Sequence, residues 1–218
     1  MLAAKFSQRS PWPLIICLAF TQLPANALAA STLGVTIAEH GINDVPACAL
    51  CHGEHGEGDR AAGYPRLAGM NAGYLLNQLD HYADGSRSSQ VMQVYSRALT
   101  RIQRRAIAEY YAAKPGLGSQ LHTGRQANNA IAALLNKGDW SRNIPACFSC
   151  HGKMGTGSKL IPAIADQPVH YFIVQMNHWR TGTRPVGEGD PMATIAKNLT
   201  PTEIAGIARY LANESPRK

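Results

Sequence analysis

The sequence predicts an all-α protein of two tandem domains, each a copy of the other. Three observations carry that prediction. The first is an internal repeat. Val45-Pro46-Ala47-Cys48 returns as Ile144-Pro145-Ala146-Cys147, and Tyr74, Gln78, His81, Gly85 and Arg87 return 97 positions later as Tyr171, Gln175, His178, Gly182 and Arg184. The second is apolar residues at helical spacing behind capping signals. The third is the absence of strand alternation or hairpin patterns. With 218 residues, 45% hydrophobic and 16% charged, the chain has material for compact cores and is no disordered polyelectrolyte.

Residues 1–30 read as a cleaved secretory leader. Lys5 and Arg9 make its positive start, Leu14 to Phe20 its apolar stretch, and Ala25-Asn26-Ala27-Leu28-Ala29-Ala30 offers A-x-A cleavage sites. Pro11, Pro13, Thr21, Gln22 and Pro24 interrupt the apolar run. That argues against an anchor of about 20 apolar residues. In the first domain Thr36–His40 is a weak helical segment and Tyr74–Tyr82 a clearer one. Thr100-x-x-Gln103 is a capping box that opens a last helix through Ile107, Tyr110 and Tyr111. Lys114-Pro115-Gly116-Leu117-Gly118-Ser119 stops it, which sets the domains at 31–115 and 116–218. The second domain repeats the order with helices at Ala127–Leu135, at Tyr171–Trp179 and behind Thr200-Pro201-Thr202-Glu203. Pro201 suits the first helical position, and Ile204, Ile207, Tyr210 and Leu211 form the apolar face.

The formal charge is +7, and without Lys5 and Arg9 it becomes 19 basic against 14 acidic residues. The basic residues form no long run, so nucleic acid is not an expected partner. They are also unevenly placed. Residues 31–115 balance eight against eight, whereas residues 116–218 hold eleven basic against six acidic, including Lys137, Arg142, Lys153, Lys159, Arg180 and Arg184. Such an excess steers a protein toward acidic faces on its partners.

Cysteine spacing carries the chemistry. With Cys17 in the leader, four cysteines remain, as Cys48-Ala49-Leu50-Cys51-His52 and Cys147-Phe148-Ser149-Cys150-His151. C-x-x-C-H is the attachment motif of c-type haem. Two intervening residues set both sulfurs at the two haem vinyl groups, where they form thioethers, and the adjacent histidine reaches the iron from one face. A zinc site would need the pairs closer than the 99 positions that separate them. A redox disulfide would be expected near a βαβ pattern, and structural disulfides would not need the histidines. Two covalent haem c groups are therefore expected, and the ring helps fill domains that are poor in aromatics, which make up 7% of residues.

The sixth iron ligand decides what such a haem does. A thioether opposite histidine raises the potential and favours electron transfer. Met92 and Met192 lie 40 and 41 residues after His52 and His151, each seven before the Leu-Thr that opens the last helix. They are the expected axial partners. The repeat-paired His81 and His178 are the alternative. Met70, Met154 and Met176 have no methionine partner in the repeat and read as core. His40, His55, His122 and His170 read as surface residues.

At this point the sequence resembles the dihaem class I cytochromes c of the cytochrome c4 type. The resemblance is carried by Val45-Pro46-Ala47-Cys48-x-x-Cys51-His52-Gly53, Tyr64-Pro65-Arg66-Leu67-Ala68-Gly69, Tyr74-Leu75-x-x-Gln78-Leu79, Gly85-x-Arg87 and Met92, with the second set from Ile144 to Met192. It departs at Met70, where the family usually has Gln, and at Asp166, where Gly is usual. The resemblance implies two tandem class I cytochrome c domains, each wrapped around one haem. It also implies that the carbonyls of Pro65 and Pro162 orient His52 and His151. The expected function is a periplasmic carrier of single electrons with all six iron positions filled and no substrate chemistry of its own. Its expected partners are redox proteins: a quinol-oxidising complex or dehydrogenase as donor, and a terminal oxidase or other acceptor. Docking would be electrostatic, and membrane contact would come only through those partners. Two other readings stand beside it: a fixed cytochrome subunit of a periplasmic dehydrogenase, for instance one oxidising alcohols or sulfur compounds, and a dihaem peroxidase.

Overall fold

A computed structural model describes residues 25–116, 129–158, 161–184 and 190–212. The described residues form ten α-helices: α1 (Ala25–His40), α2 (Ala49–His52), α3 (Ala72–Asp84), α4 (Met92–Ala98), α5 (Arg101–Ala113), α6 (Asn129–Asn136), α7 (Cys147–His151), α8 (Val169–Thr181), α9 (Met192–Asn198) and α10 (Pro201–Ala212). Extended pairing among them is limited to isolated bridges such as Ile42 with Val45 and Asp139 with Ile144. The fold is all-α, as the periodicity predicts. The first 24 residues of the expected leader and residues 117–128, beside the expected boundary at 115/116, lie outside the described residues. So does the predicted start of α6 at Ala127.

Both capping boxes form. Gln103 N–H donates to Thr100 Oγ1 while Thr100 N–H donates to Gln103 Oε1 at 2.7 Å. Thr200 and Glu203 make the same exchange at 2.8 and 3.2 Å. Each box satisfies two otherwise orphaned amides at the start of α5 and α10. Arg142 then grips Glu203 with Nη2 to Oε1 at 2.8 Å, so the second cap is tied to the loop before α7.

Helix α1 is longer than the short segment its sequence suggests, and it begins inside the expected leader. It lies across α5, and its inner face buries Ile37 and Ala38. The crossing is close because of a glycine: a Cβ on Gly34 would lie 2.4 Å from the Ala106 carbonyl oxygen. In the second half the small residue changes sides. There Ile131 of α6 meets Gly206 of α10, where a Cβ would fall 2.8 Å from Ile131 Cδ1. One crossing keeps its volume by two opposite choices.

Two cores result. Ile37, Val45, Leu75, Leu99, Ile107 and Tyr111 centre the first, and Leu134, Leu135, Ile144, Met176, Ile204, Ile207 and Leu211 the second. Met70 and Met176 are buried in them, as expected of core methionines, and His40, His55 and His170 are exposed.

The halves are joined where the sequence departs from its family pattern. Asp166 holds a left-handed backbone (φ 59°) in the place that Gly69 (φ 68°) fills in the first half, and its carboxylate pairs with Arg60. Asp is among the few residues that tolerate this region. Beside it Gln167 exchanges two hydrogen bonds with the Arg66 backbone, at 3.1 and 3.0 Å, and its amide lies against Met70 Sδ.

Candidate haem sites

Each C-x-x-C-H motif coils into a short helix, α2 or α7, that turns its histidine inward. His52 is 7% and His151 9% exposed. His52 Nδ1 donates to the Pro65 carbonyl at 2.9 Å, and His151 Nδ1 donates to the Pro162 carbonyl at 2.8 Å. Bonding Nδ1 fixes the tautomer and leaves the Nε2 lone pair free to bind a metal. Burial pushes both histidines below their ordinary pKa, with the proline carbonyls opposing. A neutral imidazole is the form that binds iron. Burial likewise pushes the thiols of Cys48 and Cys147 up to about 11. Among the described residues no disulfide joins Cys48, Cys51, Cys147 or Cys150. No group of three or more His, Cys, Asp or Glu converges as a metal cluster among the described residues.

The second ligand set meets around a cavity of about 660 Å³. Cys147, Cys150, His151, Pro162 and Met192 line it, with Trp179, Ile195, Leu199 and Ile207 supplying an apolar wall. Met92 opens α4 as Met192 opens α9. Each is half-buried, and their backbone N–H groups donate to Ser89 Oγ at 3.1 Å and to Asp190 Oδ1 at 2.8 Å. Of the alternative ligands, His81 Nδ1 is engaged with Ser86 Oγ at 2.8 Å on an exposed side chain.

Between the two halves lies a feature that sequence reasoning missed. Arg87 and Arg184 are 4% and 6% exposed, and each reaches across to the other half. Arg87 donates to Gln78 (2.6 Å), Gln175 (2.7 Å) and the Tyr171 hydroxyl (3.2 Å). Arg184 donates to Gln175 (2.9 Å), Gln78 (3.2 Å) and the Tyr74 hydroxyl (3.0 Å). Tyr82 stacks on Arg87 and Trp179 on Arg184. Every one of these partners is neutral. Among the described residues no carboxylate pairs with either guanidinium, and two buried like charges cost several kcal/mol; the buried Trp179 Nε1 also lacks an acceptor. A haem carries two carboxylates, which are the anions this donor set lacks. The residues present therefore fit the group. The recurrence of Gly85-x-Arg87 as Gly182-x-Arg184 was the available signal.

Paired thioether motifs, Nδ1-locked histidines and two anion-poor arginines in an all-helical frame define a class: proteins that carry two covalent haem c groups and transfer electrons. The comparisons agree. The cytochrome c family profile matches residues 39–113. A thiosulfate dehydrogenase electron acceptor from Stutzerimonas stutzeri is 40% identical over 169 residues, covering 77% of this chain and 78% of that protein. The cytochrome c4 structure from Acidithiobacillus ferrooxidans is 34% identical with a TM-score of 0.64, over 76% of this chain and 97% of that one. The thiosulfate dehydrogenase TsdBA from Marichromatium purpuratum aligns with a TM-score of 0.75 at 35% identity, over 85% of this chain. This chain spans only 40% of that protein. The chain belongs to the cytochrome c family, as a dihaem protein of the cytochrome c4 type.

Proposed function

We propose that the chain is a periplasmic shuttle that takes single electrons from a respiratory or periplasmic dehydrogenase, or a quinol-oxidising complex, and delivers them to a terminal oxidase or other acceptor. The haem irons would take up and release the electrons without bond chemistry on a substrate. Cys48 and Cys51 would hold the first haem and Cys147 and Cys150 the second. His52 with Met92, and His151 with Met192, would fill the axial positions. Pro65 and Pro162 would hold the histidines in register. The observation that carries this reading is the second site, where a locked histidine and the repeat-matched methionine face one cavity. Closed ligand sets suit outer-sphere transfer and leave no position for peroxide, which weighs against the peroxidase reading. Export fits the leader, and no helix among the described residues is long and apolar enough to cross a membrane.

The relative named as a thiosulfate dehydrogenase electron acceptor supports a donor that oxidises reduced sulfur compounds. The alignment with part of TsdBA supports a second reading, in which the chain is the fixed cytochrome subunit of such a dehydrogenase. The test is to mix the purified dihaem protein with a thiosulfate dehydrogenase and thiosulfate. A shuttle is reduced over many turnovers at substoichiometric enzyme and elutes separately on size exclusion. Co-elution at a constant ratio selects the subunit reading. No reduction by this donor, with normal reduction by a quinol-oxidising complex, moves the donor to the respiratory chain. Peroxide turnover by the resting protein would overturn the carrier reading.

A further inference from the structure

The two sites differ at one buried position. Tyr111 of α5 and Leu211 of α10 occupy the same place in the repeat, and each is 1% exposed. Their backbones do the same work: the Tyr111 carbonyl accepts from Gly69 N–H, and the Leu211 carbonyl accepts from Asp166 N–H. Their side chains press on the same loop after the motif histidine. A Cβ on Gly56 would strike the Tyr111 ring at 2.6 Å, and one on Gly155 would meet Leu211 Cδ2 at 3.4 Å. Tyr111 adds a hydroxyl, and that hydroxyl is buried without a hydrogen-bond partner. Its ring meets Tyr110 edge-on at 4.9 Å, and Tyr110 directs its own hydroxyl outward to Glu39 at 2.7 Å. Cys48 packs against the core cluster to which Tyr111 belongs, and the Cys48 thiol and the Tyr111 hydroxyl lie near enough to perturb each other's proton affinity.

The chemistry of haem attachment gives this contact its direction. As a thiol, Cys48 points weakly at the Ile37 carbonyl, 3.9 Å away, just as Cys147 points at Leu134. A thioether sulfur has no proton and can only accept. Next to it stands a buried O–H that needs an acceptor. We propose that Tyr111 is a tuning residue for the first haem, its hydroxyl donating to the Cys48 thioether and raising that haem's reduction potential. The positive end of the O–H dipole then faces the ring, and it favours the form that carries one positive charge fewer, the reduced one. Low local polarity strengthens the effect. Leu211 gives the second haem no such donor.

This inference rests on Cys48 bearing a haem, so intact mass and a pyridine haemochrome assay come first. One haem per chain would sink the proposed attachment itself. With two haems present, the potentials of the full-length protein are followed by spectroelectrochemical titration, with each haem assigned by its NMR methyl resonances. Tyr111→Phe keeps the ring and removes the donor. It should shift the first haem's reduction equilibrium by about threefold toward the oxidised form, as loss of a weak hydrogen bond implies, and leave the second unmoved. Tyr111→Leu should do the same. Leu211→Tyr, if it loads haem, should raise the second. The proposal fails if Tyr111→Phe leaves both potentials unchanged, if both haems shift together, or if only Tyr111→Leu has an effect, since that would be packing alone.

Discussion

Gln175 is the point at which to test the interface between the halves. Its Oε1 accepts from Arg87 at 2.7 Å and from Arg184 at 2.9 Å, so Gln175→Leu removes two bonds to charged donors with little change of volume. Hydrogen bonds to charged groups contribute about 1.5–3 kcal/mol each. The full sum is not expected, because each guanidinium keeps Gln78 and a tyrosine hydroxyl. The expected loss is about 3 kcal/mol. For a chain of this size 1 kcal/mol moves Tm by about 2–4 °C, so the variant should melt about 6–12 °C lower. Gln175→Glu is the contrast. It keeps an acceptor for both arginines and should retain most of the parental Tm. The assay is thermal unfolding of the haem-loaded protein, followed by circular dichroism and by haem absorbance. If Gln175→Leu melts within about 1 °C of the parent, or Gln175→Glu destabilises as much as Leu, the Gln175 acceptor does not hold the two arginines and the argument is wrong.

Three further outcomes follow. Met92→Ala and Met192→Ala should each remove half of the far-red sulfur-to-iron band and open one iron to added ligands such as imidazole; if His81→Ala removes a ligand and Met92→Ala does not, the bis-histidine alternative holds. Arg142, with the Thr200 cap, holds the Glu203 carboxyl below its ordinary value of 4.5. A depressed folded-state pKa contributes stability above the unfolded value and loses it as pH falls through the folded one. The parent's acid-side loss below about pH 4.5 should therefore be shallower in Glu203→Gln, as urea midpoints across pH would show. Reversing Lys153 and Lys159 should slow electron transfer at low salt and matter little when the Debye length shrinks. Reversing Arg101 and Arg104 should matter less, because both already hold Asp80, at 3.3 and 2.7 Å; equal slowing by the two pairs, in stopped-flow at varied ionic strength, would defeat the steering idea.

Much of this molecule was legible before any coordinate. Cys48 to His52 and Cys147 to His151 identify their cofactor by spacing, and the capping boxes at Thr100 and Thr200 mark the two helices they do in fact open. Other features were hidden for identifiable reasons. The motif helices α2 and α7 are too short for a period to show. The start of α1 carries no clear apolar stripe, and what fixes its inner end is a glycine against a carbonyl. Tyr74, Gln78 and Arg87 were visible as repeated residues. A repeat shows that two copies need the same residue, however, and not that each copy serves the other. Met70 and Asp166 read as departures from a pattern, yet both lie where the halves touch.

The crossed pattern of those contacts has a consequence for ancestry. Gln78 receives Arg184 and Gln175 receives Arg87; Tyr74 receives Arg184 and Tyr171 receives Arg87. Residue i meeting j while j's counterpart meets i's is the signature of an isologous two-fold interface. It is what two identical subunits make, here within a single polypeptide. The pattern suits a homodimer whose genes were fused, after which the two copies were free to diverge, as Gly34 and Gly206 or Tyr111 and Leu211 have done. Each half therefore carries a face complementary to its counterpart's.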